Sequence, residues 1–203
     1  MQNLSFFIIA TLLLALTPGQ DFIYIMVRSV SQGARAGVIA ICGLMVGVTL
    51  HTFAAATGVA AILLTSSYAF TAIKLIGAAY LIYLGIQAFR QKGSLDIQKV
   101  RGKASDLKLF KEGVLSSILN PKLALFFMAF LPQFVSQGAD PFSQMLLLGL
   151  LFAILSLPIL IGVAVLSAKF GNIITGNQLV ARVIGKITGV VLIGLGARLG
   201  LSE

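Results

Sequence analysis

The sequence predicts an all-α integral membrane protein whose six transmembrane helices form a 3+3 inverted repeat. Its composition supports this fold class, because the 203 residues are 58% hydrophobic and 10% charged, with a mean hydropathy of +1.02. A soluble domain would carry about 25% charged residues. Six long runs with few charges follow one another, and most basic residues lie between them. The length leaves no room for a soluble domain, so residues 1–203 are predicted to form a single transmembrane domain.

Each apolar run is long enough to cross a bilayer, since about 20 apolar residues span the hydrocarbon core. The first run has no basic residue before it and ends in Asp21 rather than at a small-residue cleavage site, so it is predicted to be a span and not a signal peptide. The polar segment 90–112 is predicted to be a linker between repeat halves 1–89 and 113–203. The spans are predicted at about residues 4–27, 37–64, 68–89, 113–135, 142–167 and 182–201.

Loop charges predict the orientation of these spans. Basic residues follow spans one, three and five, with seven of them between Arg90 and Lys111, whereas connections 65–67 and 136–141 contain none. Cytoplasmic loops carry an excess of Lys and Arg, so the basic loops are predicted to be cytoplasmic and both termini extracytoplasmic. Arg198 is the one basic residue that does not fit. The formal charge of +9 is thus interpreted as a topology signal and not as a nucleic-acid-binding surface.

Similarity between the halves predicts the inverted repeat. The third span contains KLIGAAYLIYLG at residues 74–85, and the sixth contains KITGVVLIGLG at residues 186–196, which match with a one-residue slip. Spans one and four each hold an interior proline, Pro18 and Pro121. Because each half has an odd number of spans, the two halves insert with opposite orientation.

The two prolines predict breaks in spans one and four. Proline has no backbone N–H, so Pro18 and Pro121 leave the carbonyls of Leu14 and Ser117 without their helical partners. At membrane depth such breaks are tolerated only against protein or water. The predicted helix breaks therefore comprise Pro18, Gly19 and Pro121.

An ionisable residue follows each break, Asp21 in the first half and Lys122 in the second. Charged groups within a span are costly, and their default interpretation is functional. An acid facing a base beside broken helices suits a zwitterion, with its ammonium on Asp21 and its carboxylate on Lys122. Thr17, four residues before Asp21, is predicted to orient the carboxylate, and Asn120 at the second break completes the predicted substrate site. A structural Asp21–Lys122 ion pair, or a Lys122 that snorkels to the interface, are the alternatives.

Small residues recur at three- and four-residue intervals along the second span, so one face has almost no side chains and allows close helix packing. His51 lies in this stripe and is predicted to point into the bundle. It is either a hydrogen-bonding strut or, with Asp21, part of the proton coupling, since histidine changes charge near neutral pH. The Gly-rich faces of spans two and six also suggest a homodimer. The stripe comprises Ala36, Ala40, Gly43, Gly47, His51, Ala54 or Ala55, and Gly58.

These motifs together resemble the LysE/RhtB group of bacterial amino-acid exporters, and the similarity runs from span one through span six. The chain departs from the family pattern at Gln20, where the family often has proline. The matching stretches are LALTPGQD at residues 14–21, the glycine turn 33–37 with Arg35, residues 43–58 around His51, residues 74–85, and NPKLALFFMAFLPQF at residues 120–134.

The resemblance implies proton-driven efflux of small amino acids or derivatives such as threonine, homoserine, homoserine lactone, leucine or lysine. It also implies a multi-pass protein of the bacterial inner membrane, with the substrate, protons and the bilayer as partners.

Other function classes fit the residues less well. An intramembrane enzyme needs a nucleophile with a base, an HExxH pair or two intramembrane aspartates, and the spans hold one histidine and one aspartate. The single cysteine, Cys42, excludes a disulfide framework and a thiolate zinc site, and no cofactor is predicted. Export of a metal cation or another small solute is one alternative, although Asp21 with His51 would be an underliganded site. A passive channel or a non-transporting membrane subunit is another, but neither explains two broken helices with opposite charges.

Overall fold

Apolar composition and paired prolines give a bundle of long and broken helices. The computed structural model describes residues 3–59, 67–90, 103–136, 140–175 and 178–201, and every regular element in these ranges is helical. Most of the predicted linker, residues 91–102, and most of the loop 136–141, residues 137–139, lie outside the described residues.

The helices are numbered along the chain. Two of them continue into irregular turns, which widen or tighten the backbone locally. They are α1 (Leu4–Leu16), α2 (Gln20–Gln32), α3 (Ala34–Ala54, continued by the π-helical turn Ala55–Val59), α4 (Ser67–Arg90), α5 (Asp106–Ile118), α6 (Pro121–Leu125, continued by the π-helical turn Phe126–Phe130 and the 3₁₀ turn Leu131–Phe134), α7 (Pro141–Thr175) and α8 (Gln178–Leu201).

Both predicted breaks are present. Thr17 has extended backbone angles (φ −74°, ψ 116°), as has Asn120 (φ −79°, ψ 104°), because a residue that precedes proline is disfavoured in the helical region. The pair α1–α2 bends by 48° at the first break, and α5 bends by 48° against the segment Pro121–Phe134 at the second. Spans one and four are therefore each split into two half-helices.

The described residues hold three helices long and apolar enough to cross a membrane, or five if each bent pair is one span. The three are Ala34–Gly58, Tyr68–Arg90 and Pro141–Gly171. Helix α8 covers the region of the sixth predicted span. The fold is thus an all-helical membrane fold, while the six-span inverted repeat stays a prediction.

The half-helices that meet near the basic loops extend beyond the predicted spans. Helix α2 continues to Gln32 and α5 begins at Asp106, where Ser105 caps it by accepting a hydrogen bond from the Lys108 amide at 3.3 Å. Because these segments are charged, the sequence analysis assigned them to loops. In the structure their charged side chains form ion pairs between helices, for example between Arg35 of α3 and Asp106 of α5 at 2.7 Å.

The small-residue stripe on α3 packs against α5. A Cβ at Gly113 would lie only 3.3 Å from the carbonyl carbon of Ala40 and from the Cα of Gly43, so the two backbones are in direct contact. Helices α4 and α8 pair in a similar way, since a Cβ at Gly85 would come within 2.9 Å of the Gly189 carbonyl oxygen. The Gly-rich faces on which the homodimer prediction depended are therefore used inside one chain.

The bundle has two chemically different ends. At the aromatic end, seven rings pack with centroid distances of 5.1 to 6.4 Å, and they are called the phenylalanine cluster: Phe6, Phe7, Phe126, Phe127, Phe130, Phe134 and Phe152. Arg198, which did not fit the charge pattern, lies over the Phe6 ring at 3.5 Å and is stabilised by its π-face. The opposite, basic end contains Arg28, Arg35 and the start of α5.

Candidate functional site

Asp21 lies in the first turn of α2 and is held by the other broken span. Ser116 donates its hydroxyl hydrogen to one carboxylate oxygen at 2.7 Å, and the Asn120 side-chain amide donates to the other at 2.9 Å. The positive end of the α2 dipole also favours a negative group at this position. The carboxylate therefore lies at the junction of the two breaks.

Lys122 lies in the first turn of α6 and reaches across to the end of α1. Its ammonium donates to the carbonyl oxygens of Thr17 at 2.8 Å and Leu14 at 3.3 Å. The Leu14 carbonyl is the acceptor that Pro18 leaves without its helical donor. A Cβ at Gly19 would lie 3.1 Å from the ammonium nitrogen, so glycine at the break permits this approach.

The charged side chain that follows each break is therefore hydrogen-bonded by groups of the other break. The acid after the first break is bonded by residues of the second, and the base after the second break is bonded by backbone of the first. No salt bridge joins Asp21 to Lys122 within the described part of the chain, so the ion-pair alternative is not what the structure has. A snorkelling lysine keeps its ammonium in water, whereas the Lys122 ammonium is hydrogen-bonded to carbonyls at the end of α1.

The prediction for Thr17 needs correction. Its hydroxyl donates to the Leu13 carbonyl of its own helix at 2.6 Å, whereas Ser116 and Asn120 orient Asp21. Thr17 contributes to the site through its carbonyl, because the kink turns that oxygen towards Lys122. Asn120 lies at the second break beside Asp21, and its side-chain oxygen also caps α6 by accepting from the Lys122 amide at 3.0 Å.

His51 points into the bundle, as predicted, and contacts the second break. Its Nε2 lies 2.9 Å from the carbonyl oxygen of Ser117, which is the acceptor that Pro121 leaves without its helical donor. A carbonyl only accepts, so Nε2 carries the hydrogen. The imidazole also stacks on Phe127 with centroids 6.0 Å apart. His51 thus connects the break to the phenylalanine cluster.

A cavity of about 40 Å³ lies beside the two breaks, between them and helices α3 and α7. Thr17, Asp21 and Lys122 line one side, and most of the remaining wall is apolar. One water molecule needs roughly 10–15 Å³ of such space. The cavity is therefore too small for a whole amino acid. Binding of one requires the walls to separate.

A second cavity, of about 220 Å³, lies on the other side of the breaks between α4 and α8. Lys122 borders both cavities, and Gln20, Gln87 and Thr188 add polar groups to the second. This larger space reaches the site from the basic halves of α4 and α8.

A charged cluster that the sequence analysis missed joins α2 to α5. Arg28 is 6% exposed and pairs with Glu112, and the Tyr24 hydroxyl also donates to Glu112, at 3.2 Å. The charge of Arg28 was interpreted only as a loop signal. Ser116 was missed as well, although its place four residues before Asn120 would put both on one face of a continuous helix.

Among the residues that the structure describes, no group of three or more His, Cys, Asp or Glu side chains is placed to hold a metal ion. The groups that converge at the breaks are one carboxylate, one ammonium, an amide, a hydroxyl and backbone carbonyls.

Comparison with known proteins assigns the chain, rather than any single residue, to a recognised family. The family described as LysE type translocator matches residues 12–203. An uncharacterized membrane protein of Vibrio cholerae is 30% identical over 197 residues, covering 97% of this chain and 96% of the relative. The membrane protein YrhP of Bacillus subtilis is 31% identical over 214 residues and 100% of both chains. A homoserine/homoserine lactone efflux protein of Salmonella typhimurium is 31% identical over 197 residues, covering 97% of this chain and 95% of the relative. No solved structure matches.

Proposed function

Because the chain belongs to the LysE type translocator family, we propose that it exports small amino acids or amino-acid derivatives across the bacterial cytoplasmic membrane in exchange for protons. One observation carries this proposal: hydrogen bonds between the two breaks hold the Asp21 carboxylate and the Lys122 ammonium beside a single cavity. The relative named as a homoserine/homoserine lactone efflux protein supports the substrate class.

The charges at the breaks match those of a zwitterion. Asp21 takes the substrate ammonium, and Lys122 takes the carboxylate. The contacts described above use two of the three N–H donors of the Lys122 ammonium, and the third suits a substrate carboxylate. The positive N-terminal end of α6 lies at the same place and favours that carboxylate.

Exchange with protons follows from competition at Asp21. Burial in a largely apolar cavity disfavours an unpaired carboxylate, so protonation or pairing with a cation stabilises Asp21 beyond its hydrogen bonds to Ser116 and Asn120. A proton and the substrate ammonium occupy the same oxygens and therefore exclude each other. Substrate loads from the cytoplasm, leaves outside and is replaced there by a proton, as the parts of the bundle rock about the site.

In this cycle the basic end is cytoplasmic and the aromatic end faces outwards. The phenylalanine cluster closes the outer side of the site. The Arg28–Glu112 pair closes the inner side between the two half-helices that must separate for loading. The cavity of about 220 Å³ between α4 and α8 gives the substrate a path from the cytoplasm.

The direct test uses purified protein in liposomes. Labelled homoserine or threonine should move only when a proton gradient is imposed, and its movement should carry protons the other way. If the amino acid moves at the same rate with and without a proton gradient, the protein is still a transporter but the proposed exchange with protons is rejected. No movement of any amino acid in a panel would reject the proposed function.

His51→Asn is expected to retain transport and to change its pH dependence. Asparagine can still donate to the Ser117 carbonyl, but it does not titrate near neutral pH. The measurement is the transport rate between pH 5.5 and 8.5 for the wild type and the variant. A profile identical to that of the wild type would show that His51 is only a strut.

Cysteine labelling tests the orientation. Cys42 is exposed and is first replaced by serine, and Lys99→Cys and Gly138→Cys are then made separately. With the linker inside, an impermeant maleimide added to intact cells should label residue 138 and not residue 99. The reverse pattern would invert the orientation, and labelling of both after cell lysis controls for reactivity.

A further inference from the structure

The cavity at the breaks has two unlike sides. Thr17, Asp21 and Lys122 form the charged side, where the proposed function fixes the ammonium and the carboxylate of an amino acid. Nine of the other ten lining residues are apolar, and the tenth is Ser156 of α7. The substrate side chain therefore faces a surface with a single hydroxyl group.

Ser156 is buried in α7 and makes one hydrogen bond within that helix. Its residue is 2% exposed, and its hydroxyl donates to the Ala153 carbonyl at 3.2 Å. A serine oxygen also accepts hydrogen bonds, so it remains an acceptor towards the cavity. Phe152 and Leu160 lie one turn to either side of it and line the same wall of the cavity.

We propose that Ser156 is a specificity-determining residue, which selects amino acids with a hydroxylated side chain. This inference rests on the proposed function. A substrate hydroxyl finds its partner in Ser156, whereas a methyl group in the same place leaves the serine oxygen without one.

Two pairs of amino acids of nearly equal shape isolate this effect. Threonine differs from valine, and homoserine from norvaline, by one hydroxyl group in place of a methyl group. Transport of each is measured in liposomes, and the preference is the ratio of kcat/KM within a pair. We expect the wild type to prefer the hydroxylated member, and Ser156→Ala to lower that preference about tenfold, as for the loss of one neutral hydrogen bond.

Ser167→Ala is the matched control, because Ser167 is a buried serine of the same helix and does not line the cavity. It should leave the preference unchanged. A purely structural role of Ser156 beside Pro158 would lower the rate for both members equally, and that outcome would overturn the inference, as would a wild type without preference in either pair. In both cases amino-acid export itself would stand. If no amino acid is moved at all, the proposed function fails and this inference fails with it.

Discussion

Replacing Asp21 by asparagine should abolish proton-driven export while the protein still inserts and folds. The amide resembles a protonated carboxyl group, so it can keep a contact with Ser116 or Asn120. It cannot take up a proton or pair with the substrate ammonium. Removal of one partner from a buried charge pair costs about 2–5 kcal/mol, so we expect a fall in kcat/KM of at least roughly 30-fold.

The Asp21→Asn experiment has a matched control in Asp106→Asn. Asp106 carries the same group but lies on the exposed surface with Arg35, where an ion pair contributes about 0–1 kcal/mol. Export of homoserine or threonine by Asp106→Asn should equal that of the wild type. Export by Asp21→Asn at the unmutated rate, with normal dependence on the proton gradient, would falsify the mechanism.

Replacing Lys122 by methionine should weaken the binding of substrates that carry a free carboxylate and spare those that do not. Homoserine and its lactone separate the two cases, because the lactone keeps the ammonium but has its carboxyl group closed in the ring. A hydrogen bond to a charged group contributes about 1.5–3 kcal/mol. We therefore expect the apparent KM for homoserine to rise about 10- to 100-fold, with a much smaller change for the lactone.

Lys186→Met provides the control for this charge, because Lys186 lies exposed on α8 and lines neither of the two cavities. A general loss of stability in Lys122→Met would lower transport of homoserine and of the lactone alike. Such parallel losses would show that Lys122 acts on the structure through the α1 carbonyls rather than on the carboxylate.

The sequence was informative where one residue imposes a backbone constraint. Pro18 and Pro121 determine where two helices must break, and the charges beside them indicated which side chains meet there. The glycine spacing in α3 predicted a close helix contact and the inward direction of His51. Local chemistry at these positions leaves few alternatives.

The partners across the breaks were not predictable in the same way. Thr17 was expected to hold Asp21, but its hydroxyl bonds within α1, and the residue that takes its place, Ser116, comes from a helix 95 positions away in the chain. The sequence did not predict the Arg28–Glu112 pair, because charged residues near the end of a span are usually assigned to a loop. Such contacts depend on which helices become neighbours, and periodicity does not encode that.

The contact between α3 and α5 has a consequence for the order of synthesis. The glycine stripe of α3 finds its partner, Gly113, only after the ribosome has made the linker and the following half-helix. Until then the first four helices have been made, but this face of α3 has no partner from α5. The contact between Gly85 of α4 and Gly189 of α8 likewise forms only after α8, the last helix described, has been made. Assembly of the bundle is therefore completed late, after nearly the whole chain has been inserted.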